Sequence, residues 1–276
     1  NPHSDVDLMF LYPIDWSVSK SEAQREIVTR EILYPLWDTG FNVGHSSRTW
    51  RDALSECKRD ERTRNALLDS RRICGSKRLA DKFLRKFRRF LRKDDPARRL
   101  QELLQKQRAR RKEHGGTVFI QTPNIKNGAG GLRDYHGILW MARIKFEAPG
   151  LETLVERKYL SETESNKLLD AYSFLLRARN ELHFQSKRPV DILYLEHQPE
   201  VARALGYHQE DLVERVEAFM GNYYAHARCI YETCKVVESR FAEDYSRPRV
   251  SLNFRSVLEA CRRPSSETVD GLVVRG

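Results

Sequence analysis

Asp5 and Asp7 are separated by one residue and lead straight into an apolar run at positions 8–11. In a β-strand alternate side chains share a face, so the two carboxylates point the same way and Val6 turns toward the core. Carboxylates at that spacing repel one another unless a cation lies between them, and a hard divalent ion with oxygen ligands suits the pair. The competing reading is a polar strand entrance with two solvated acids. A second chemistry-bearing stretch is Pro-Asn-Ile-Lys-Asn-Gly-Ala-Gly-Gly-Leu-Arg-Asp at 123–134. Gly128, Gly130 and Gly131 run directly into a helical pattern over 131–145, with Arg133 near its start. Glycine permits close backbone approach, and a helix N-terminus offers free N–H groups to an anion. The loop therefore reads equally as a phosphate site or as a turn that lets two helices pack closely. It lacks the Gly-Lys-Ser/Thr ending of a P-loop.

The elements around the acids read as strand, helix, strand. Pro13 ends the first extended run, and residues 17–21 offer several helix N-caps. A helical pattern then carries Ile27, Ile32, Leu33, Leu36 and Trp37 until Gly40 stops it. Residues 41–45 read as a short second strand with 46–49 as its exit, which makes the first section α/β. From Trp50 onward the pattern is helical: 50–57, 61–73, then a Lys- and Arg-rich stretch over 77–112 that Pro96 breaks. The apolar residues of that stretch, among them Phe83, Phe87 and Leu91, recur at helical spacing. It reads as a solvated basic face whose apolar stripe packs on the core, with a nucleic-acid arm as the other reading. Gly115 and Gly116 end it, and 117–121 reads as a short extended piece. A helix from a Ser161–Glu164 capping box to about 185 follows. Residues 190–196 form a short intervening segment, 199–205 a short helix, and 211–245 a long final helix whose aromatics serve packing. Beyond 248 the pattern weakens, with a loop at 262–267 and a strand beginning at 272.

The 276 residues are enough for one large or two ordinary domains, 40% being hydrophobic and 32% charged. A net charge of +10 and a pI of about 9.4 favour polyanionic partners without choosing among nucleic acid, nucleotide phosphates and an acidic protein. The five cysteines include no Cys-x-x-Cys pair and accompany no His cluster, which argues against a zinc site or a disulfide framework and for a reducing cytoplasm. No apolar run approaches the roughly 18 residues of a membrane span. There is no signal-peptide pattern. The chain starts without Met inside a candidate strand, so it reads as a piece of a longer protein.

Several stretches occur in a recognisable order: His3-Ser-Asp-Val-Asp-Leu8, Leu36-Trp-Asp38, Val43-Gly-His-Ser-Ser-Arg-Thr49, Ala66-Leu-Leu-Asp-Ser-Arg71, the glycine-rich run at 123–134, and Phe174-Leu-Leu-Arg-Ala-Arg-Asn-Glu-Leu-His183. Together they resemble the bacterial PII uridylyltransferase/uridylyl-removing enzyme family over residues 1–245. The resemblance implies an α+β fold: a polymerase β-like nucleotidyltransferase unit over 1–75, truncated at its start, a mainly helical domain over 76–245, and a linker over 246–276 toward an HD hydrolase domain and ACT domains. The family's glycine-rich turn, which holds the nucleotide triphosphate, is expected before Asn1. The family's Gly-His-Ser-Val-Arg-Thr reads Gly-His-Ser-Ser-Arg-Thr here, and Thr122 stands where the family often has Glu.

That resemblance implies transfer of UMP from UTP to a tyrosine of the PII protein, with pyrophosphate released and Mg²⁺ held by Asp5 and Asp7. Asp69 is the candidate third carboxylate, against the alternative of a helix-surface acid paired with Arg72 or a neighbour. Ser4 and Arg48 are the expected phosphate contacts, and His45 is expected to brace the strand end. Uridylyl removal and glutamine sensing belong to domains not expected within these residues. The expected partners are UTP and PII, with no membrane and no nucleic acid, in the cytoplasm. The competing class is a basic helical module that binds nucleic acid or an acidic protein without catalysis.

Overall fold

The computed structural model describes residues 2–16, 18–93, 95–146, 150–246, 268–269 and 272–273. Contacts divide the chain into a unit over Asn1–Phe241 and another over Ala242–Gly276. The first begins with two parallel strands, β1 (Val6–Tyr12) and β2 (Val43–Thr49), paired from Val6 opposite Val43 to Tyr12 opposite Thr49. The crossover comprises α1 (Val18–Val28), a π-helical turn at Thr29–Leu33 and α2 (Tyr34–Asp38). Gly40, at φ +84°, permits the left-handed turn back toward β2. The extra residue per turn in the π segment shifts the apolar phase. Val28 and Leu33 are buried while Ile27 and Ile32 stay exposed.

Both faces of the strand pair are covered, which is why β1 is an almost unbroken apolar run. On one side Leu8, Phe10 and Val43 meet Val28, Leu33 and Leu36. On the other Met9 and Leu11 meet a cluster of Ala53 and Cys57 from α3 (Trp50–Arg59), Leu67 from α4 (Glu61–Leu68), and Phe83, Phe87 and Leu91 from α5 (Lys77–Lys93). Thr49 and Asp52 close a capping box on α3, and Asp60 caps α4. The basic side chains of α5 thus lie on the face away from a buried apolar stripe. The boundary expected near residue 75 falls just before α5, whose apolar face packs on the strand pair.

Helices follow. α6 (Pro96–Glu113) starts at the Asp95 cap with Pro96 in its first turn, so the expected break falls there. Then come α7 (Leu132–Phe146), α8 (Leu151–Glu156), α9 (Glu162–Ser186) behind the Ser161–Glu164 capping box, α10 (Gln198–Ala204) and α11 (Leu212–Ser246). α7 packs on α6 and α9, and α4 reaches α7. The second unit contains an antiparallel pair, β3 (Thr268–Val269) with β4 (Leu272–Val273). The expected loop at 262–267 lies outside the described residues, as do Ser17 and Cys261; the other four cysteines are free thiols.

Several expectations need correction. Residues 46–49 continue β2 because each finds a ladder partner in β1 at Met9–Tyr12. Val6 is 36% exposed, since the described two-stranded sheet leaves its entrance uncovered. The helix expected to reach 73 stops at Leu68, where the Asp69 N–H turns back to the Ala66 carbonyl. Residues 117–121 form no strand, and the extended pairing beyond them is a single bridge between Asn124 and Ile192. The short helix α8 had no counterpart in the sequence reading.

The Phe87 ring lies stacked 5.9 Å from Phe83 and is 3% exposed. Phe87→Ala is expected to cost about 3–5 kcal/mol of unfolding free energy, measured by chemical denaturation.

Candidate functional site

The acids sit where the strand pair begins. Asp5 precedes β1 and accepts a hydrogen bond from the Asn42 side-chain amide, while Asp7 is paired with Gly44. Asn42 and Gly44 alternate along the neighbouring chain as Asp5 and Asp7 do along theirs, so both carboxylates lie on one face. A Cβ at Gly44 would come within 2.7 Å of Asp7 Oδ1, so this glycine makes room for the carboxylate. Further along the same face Met9 and Leu11 enter the core. The two acids are exposed, hard oxygen donors, and this donor set suits a divalent cation. Among the described residues no group of three or more His, Cys, Asp or Glu side chains is arranged to hold a metal ion.

The other expected site residues separate. Arg48 pairs with Leu11, four positions beyond Asp7, or about 13 Å along the strand. There it helps offset the burial that pushes the Cys57 thiol up to about 11. His45 packs edge-on to Trp37 at 5.7 Å, a bracing contact. Asp69 accepts hydrogen bonds from Trp140 Nε1 at 2.9 Å and from the Arg143 guanidinium, which also reaches the Leu68 carbonyl. The partner is a distant arginine on α7 and not Arg72, which donates to the Gly75 carbonyl instead, so the pair joins the end of α4 to α7. Ser4 accepts from Arg179 Nη1 at 3.4 Å, joining the β1 entrance to α9.

The glycine-rich loop directs most of its N–H groups to acceptors within itself, while Ile125 donates to the Asp191 carbonyl. Asn124 Oδ1 accepts from the N–H groups of Lys126 and Asn127. Gly128 donates to the Asn124 carbonyl, Gly131 to Gly128, Leu132 to Ile125 and Arg133 to Lys126. Gly130 donates to Asp134 Oδ2 at 2.9 Å. The packing alternative describes this geometry. At Gly130, φ is +71° and a Cβ would meet the Ala227 carbonyl oxygen of α11 at 2.0 Å. Asp134 is fully buried, facing both Arg110 and Arg111, and Arg111 also reaches Glu238 Oε1 at 2.7 Å.

A cationic cluster gathers beside this loop, in which Arg133 is a candidate from the sequence and Lys126 and Arg179 are not. Arg179 is 4% exposed and donates Nε to Asp191 Oδ1 at 2.6 Å, with Lys126 Nζ 3.6 Å from the other carboxylate oxygen. Arg133 lies over the Trp140 ring at 5.7 Å. Burial, then the nearby Arg110 and Arg179 charges, lower its affinity for its proton. His136 is pushed down to about 4 by burial first and by Arg133 second. The available sequence signal was the i, i+4 spacing of Arg179 and His183 on α9.

Two outcomes test this arrangement. Asp134→Asn removes the counter-charge of Arg110 and leaves Arg111 with Glu238 alone, and is expected to cost about 3–5 kcal/mol in denaturant titrations. The folded His136 lies below its ordinary value, so the unfolded chain binds the extra proton. Its stabilising contribution is therefore complete above the unfolded pKa and is lost as the pH falls toward 4. Thermal melts from about pH 7 to about pH 4.5 are expected to show a falling Tm, with a shallower fall in His136→Gln.

The sequence profile of the GlnD PII-uridylyltransferase family matches residues 98–237. Proteins described as bifunctional uridylyltransferase/uridylyl-removing enzymes are similar over most of the chain. One from Phenylobacterium zucineum is 32% identical over 243 residues, which cover 88% of this chain and 25% of the relative. One from Caulobacter vibrioides (strain NA1000 / CB15N) is 35% identical over 227 residues, covering 82% of this chain and 24% of the relative. One from Erythrobacter litoralis is 32% identical over 275 residues, covering 100% of this chain and 29% of the relative. The chain thus spans about a quarter of the length of these relatives. With the profile covering half of its residues, the chain belongs to the GlnD PII-uridylyltransferase family.

Proposed function

We propose that this chain carries part of a metal-dependent nucleotidyltransferase centre that moves UMP from UTP to a tyrosine of a PII protein. The observation that supports this most is the placement of Asp5 and Asp7 on one strand face over Gly44, in a chain of this family. The α+β architecture, a parallel strand pair followed by helices, suits a polymerase β-like unit leading into a helical domain. In the reaction the tyrosine oxygen bonds to the α-phosphorus. The bond from that phosphorus to the β-phosphate oxygen breaks, its electron pair leaves on pyrophosphate, and the tyrosine proton passes to solvent. Asp5 and Asp7 would hold Mg²⁺, which supplies charge neutralisation at the phosphates.

The protein's own groups have definable parts. Asn42 holds the Asp5 carboxylate, and Gly44 keeps space open above Asp7. Ser4, bonded to Arg179, fixes the backbone ahead of the acids. The Asp69 carboxylate is engaged by Arg143 and Trp140, so as a third ligand it would act with its free lone pairs or after releasing Arg143. Among the described residues no helix is long and apolar enough to cross a membrane.

The direct test uses the full-length gene product, labelled UTP, a PII protein and Mg²⁺. Asp5→Asn combined with Asp7→Asn is expected to abolish label transfer while circular dichroism stays unchanged. Transfer at near wild-type rate would remove the metal assignment.

A further inference from the structure

Arg133 stands between two junctions. On one side is Trp140, whose indole N–H holds Asp69 of the strand–helix layer. On the other is Arg179, which holds Ser4 immediately before Asp5. Arg133 is half-buried, and among the described residues its guanidinium makes no hydrogen bond or ion pair. The neighbouring carboxylates are already engaged: Asp69 by Arg143, Asp134 by Arg110 and Arg111, Asp191 by Arg179 and Lys126. Lys126 and Arg179 share the carboxylate of Asp191, and among the described residues Arg133 has no paired carboxylate of its own, leaving an excess of positive charge beside the residues that lead into Asp5.

We propose that Lys126, Arg133 and Arg179 form a polyphosphate-binding arm, contributed by the helical part of the chain, that grips the β- and γ-phosphates of the nucleoside triphosphate. This rests on the transferase reading for its biological ligand. The chemistry is that of a compact polyanion. A half-buried guanidinium flanked by a second arginine and a lysine offers forked N–H donors matched to phosphate oxygens. Most backbone N–H groups of the glycine loop are spent internally, so the grip comes from side chains. Arg179 donates Nε to Asp191 and one Nη to Ser4, which leaves further donors of its five for a ligand. In the transfer step the arm would receive the two phosphates that depart as pyrophosphate, offsetting the charge that builds on them. Burial first, and the Arg133 charge second, hold His136 below its ordinary value and keep that ring neutral next to Arg133.

Binding of inorganic pyrophosphate, UTP and uridine to the full-length gene product tests the arm by calorimetric titration. Arg133→Gln is expected to weaken pyrophosphate and UTP by about tenfold or more, with uridine unchanged and Arg133→Lys recovering part of the loss. Lys126→Gln, at a more exposed position, is expected to act in the same direction with a smaller effect. Pyrophosphate that fails to bind the wild-type protein, or that binds folded Arg133→Gln and Lys126→Gln as it binds wild type, overturns the arm. Arg133-dependent pyrophosphate binding in a protein that transfers no UMP upholds the arm and overturns the transferase reading. Undiminished UMP transfer and UTP affinity in Arg133→Gln overturn the arm and leave that reading standing.

Discussion

The helical part of the molecule is tied together at the buried carboxylate of Asp134. A carboxylate without water is costly unless opposite charges and N–H donors replace its hydration. Here the guanidinium groups of Arg110 and Arg111 and the N–H of Gly130 do so. Because Arg111 continues to Glu238 and to the Cys234 sulfur at 3.1 Å, α6, α7 and α11 meet around one charge network. Such a network contributes less to net stability than an apolar core of the same volume, but it tolerates little shift in register, because any displacement strands a charge. The glycine loop is subject to the same constraint. Its Gly130 lies against the backbone of α11, and only a residue without a side chain fits there.

That anchoring carries forward to the site. With the start of α7 held, Arg133 projects from its first turn onto Trp140, and Trp140 in turn holds Asp69. A separate bond, from Arg179 to Ser4, joins α9 to the residue before Asp5. Ser4 and Asp69 thus tie the strand layer to the helices, Ser4 across 175 residues of the chain.

Sequence reading reached the local features whose causes are local. The apolar run of β1, the Asp95–Pro96 helix start, the Ser161–Glu164 capping box and the turns at Gly40 and Gly115 each follow from neighbouring residues. It fell short where a distant partner supplies the reason. Residues 46–49 are polar and carry no strand pattern, yet they are extended because β1 offers them ladder partners. The basic stretch after residue 77 is legible as a solvated face with an apolar stripe, but that Phe83, Phe87 and Leu91 pack on Met9 and Leu11 of β1 depends on the tertiary fold.

The site divides in the same way. The sequence by itself determined that Asp5 and Asp7 share a face, because strand geometry enforces a period of two, and that the glycine run starts a helix. That most N–H groups of the run find acceptors within it, and that Gly130 lies against α11, follows from long-range packing that local spacing does not reveal. Only the tertiary structure brought Lys126, Arg133 and Arg179 together beside Ser4, because charge proximity depends on helix packing and not on spacing along the chain.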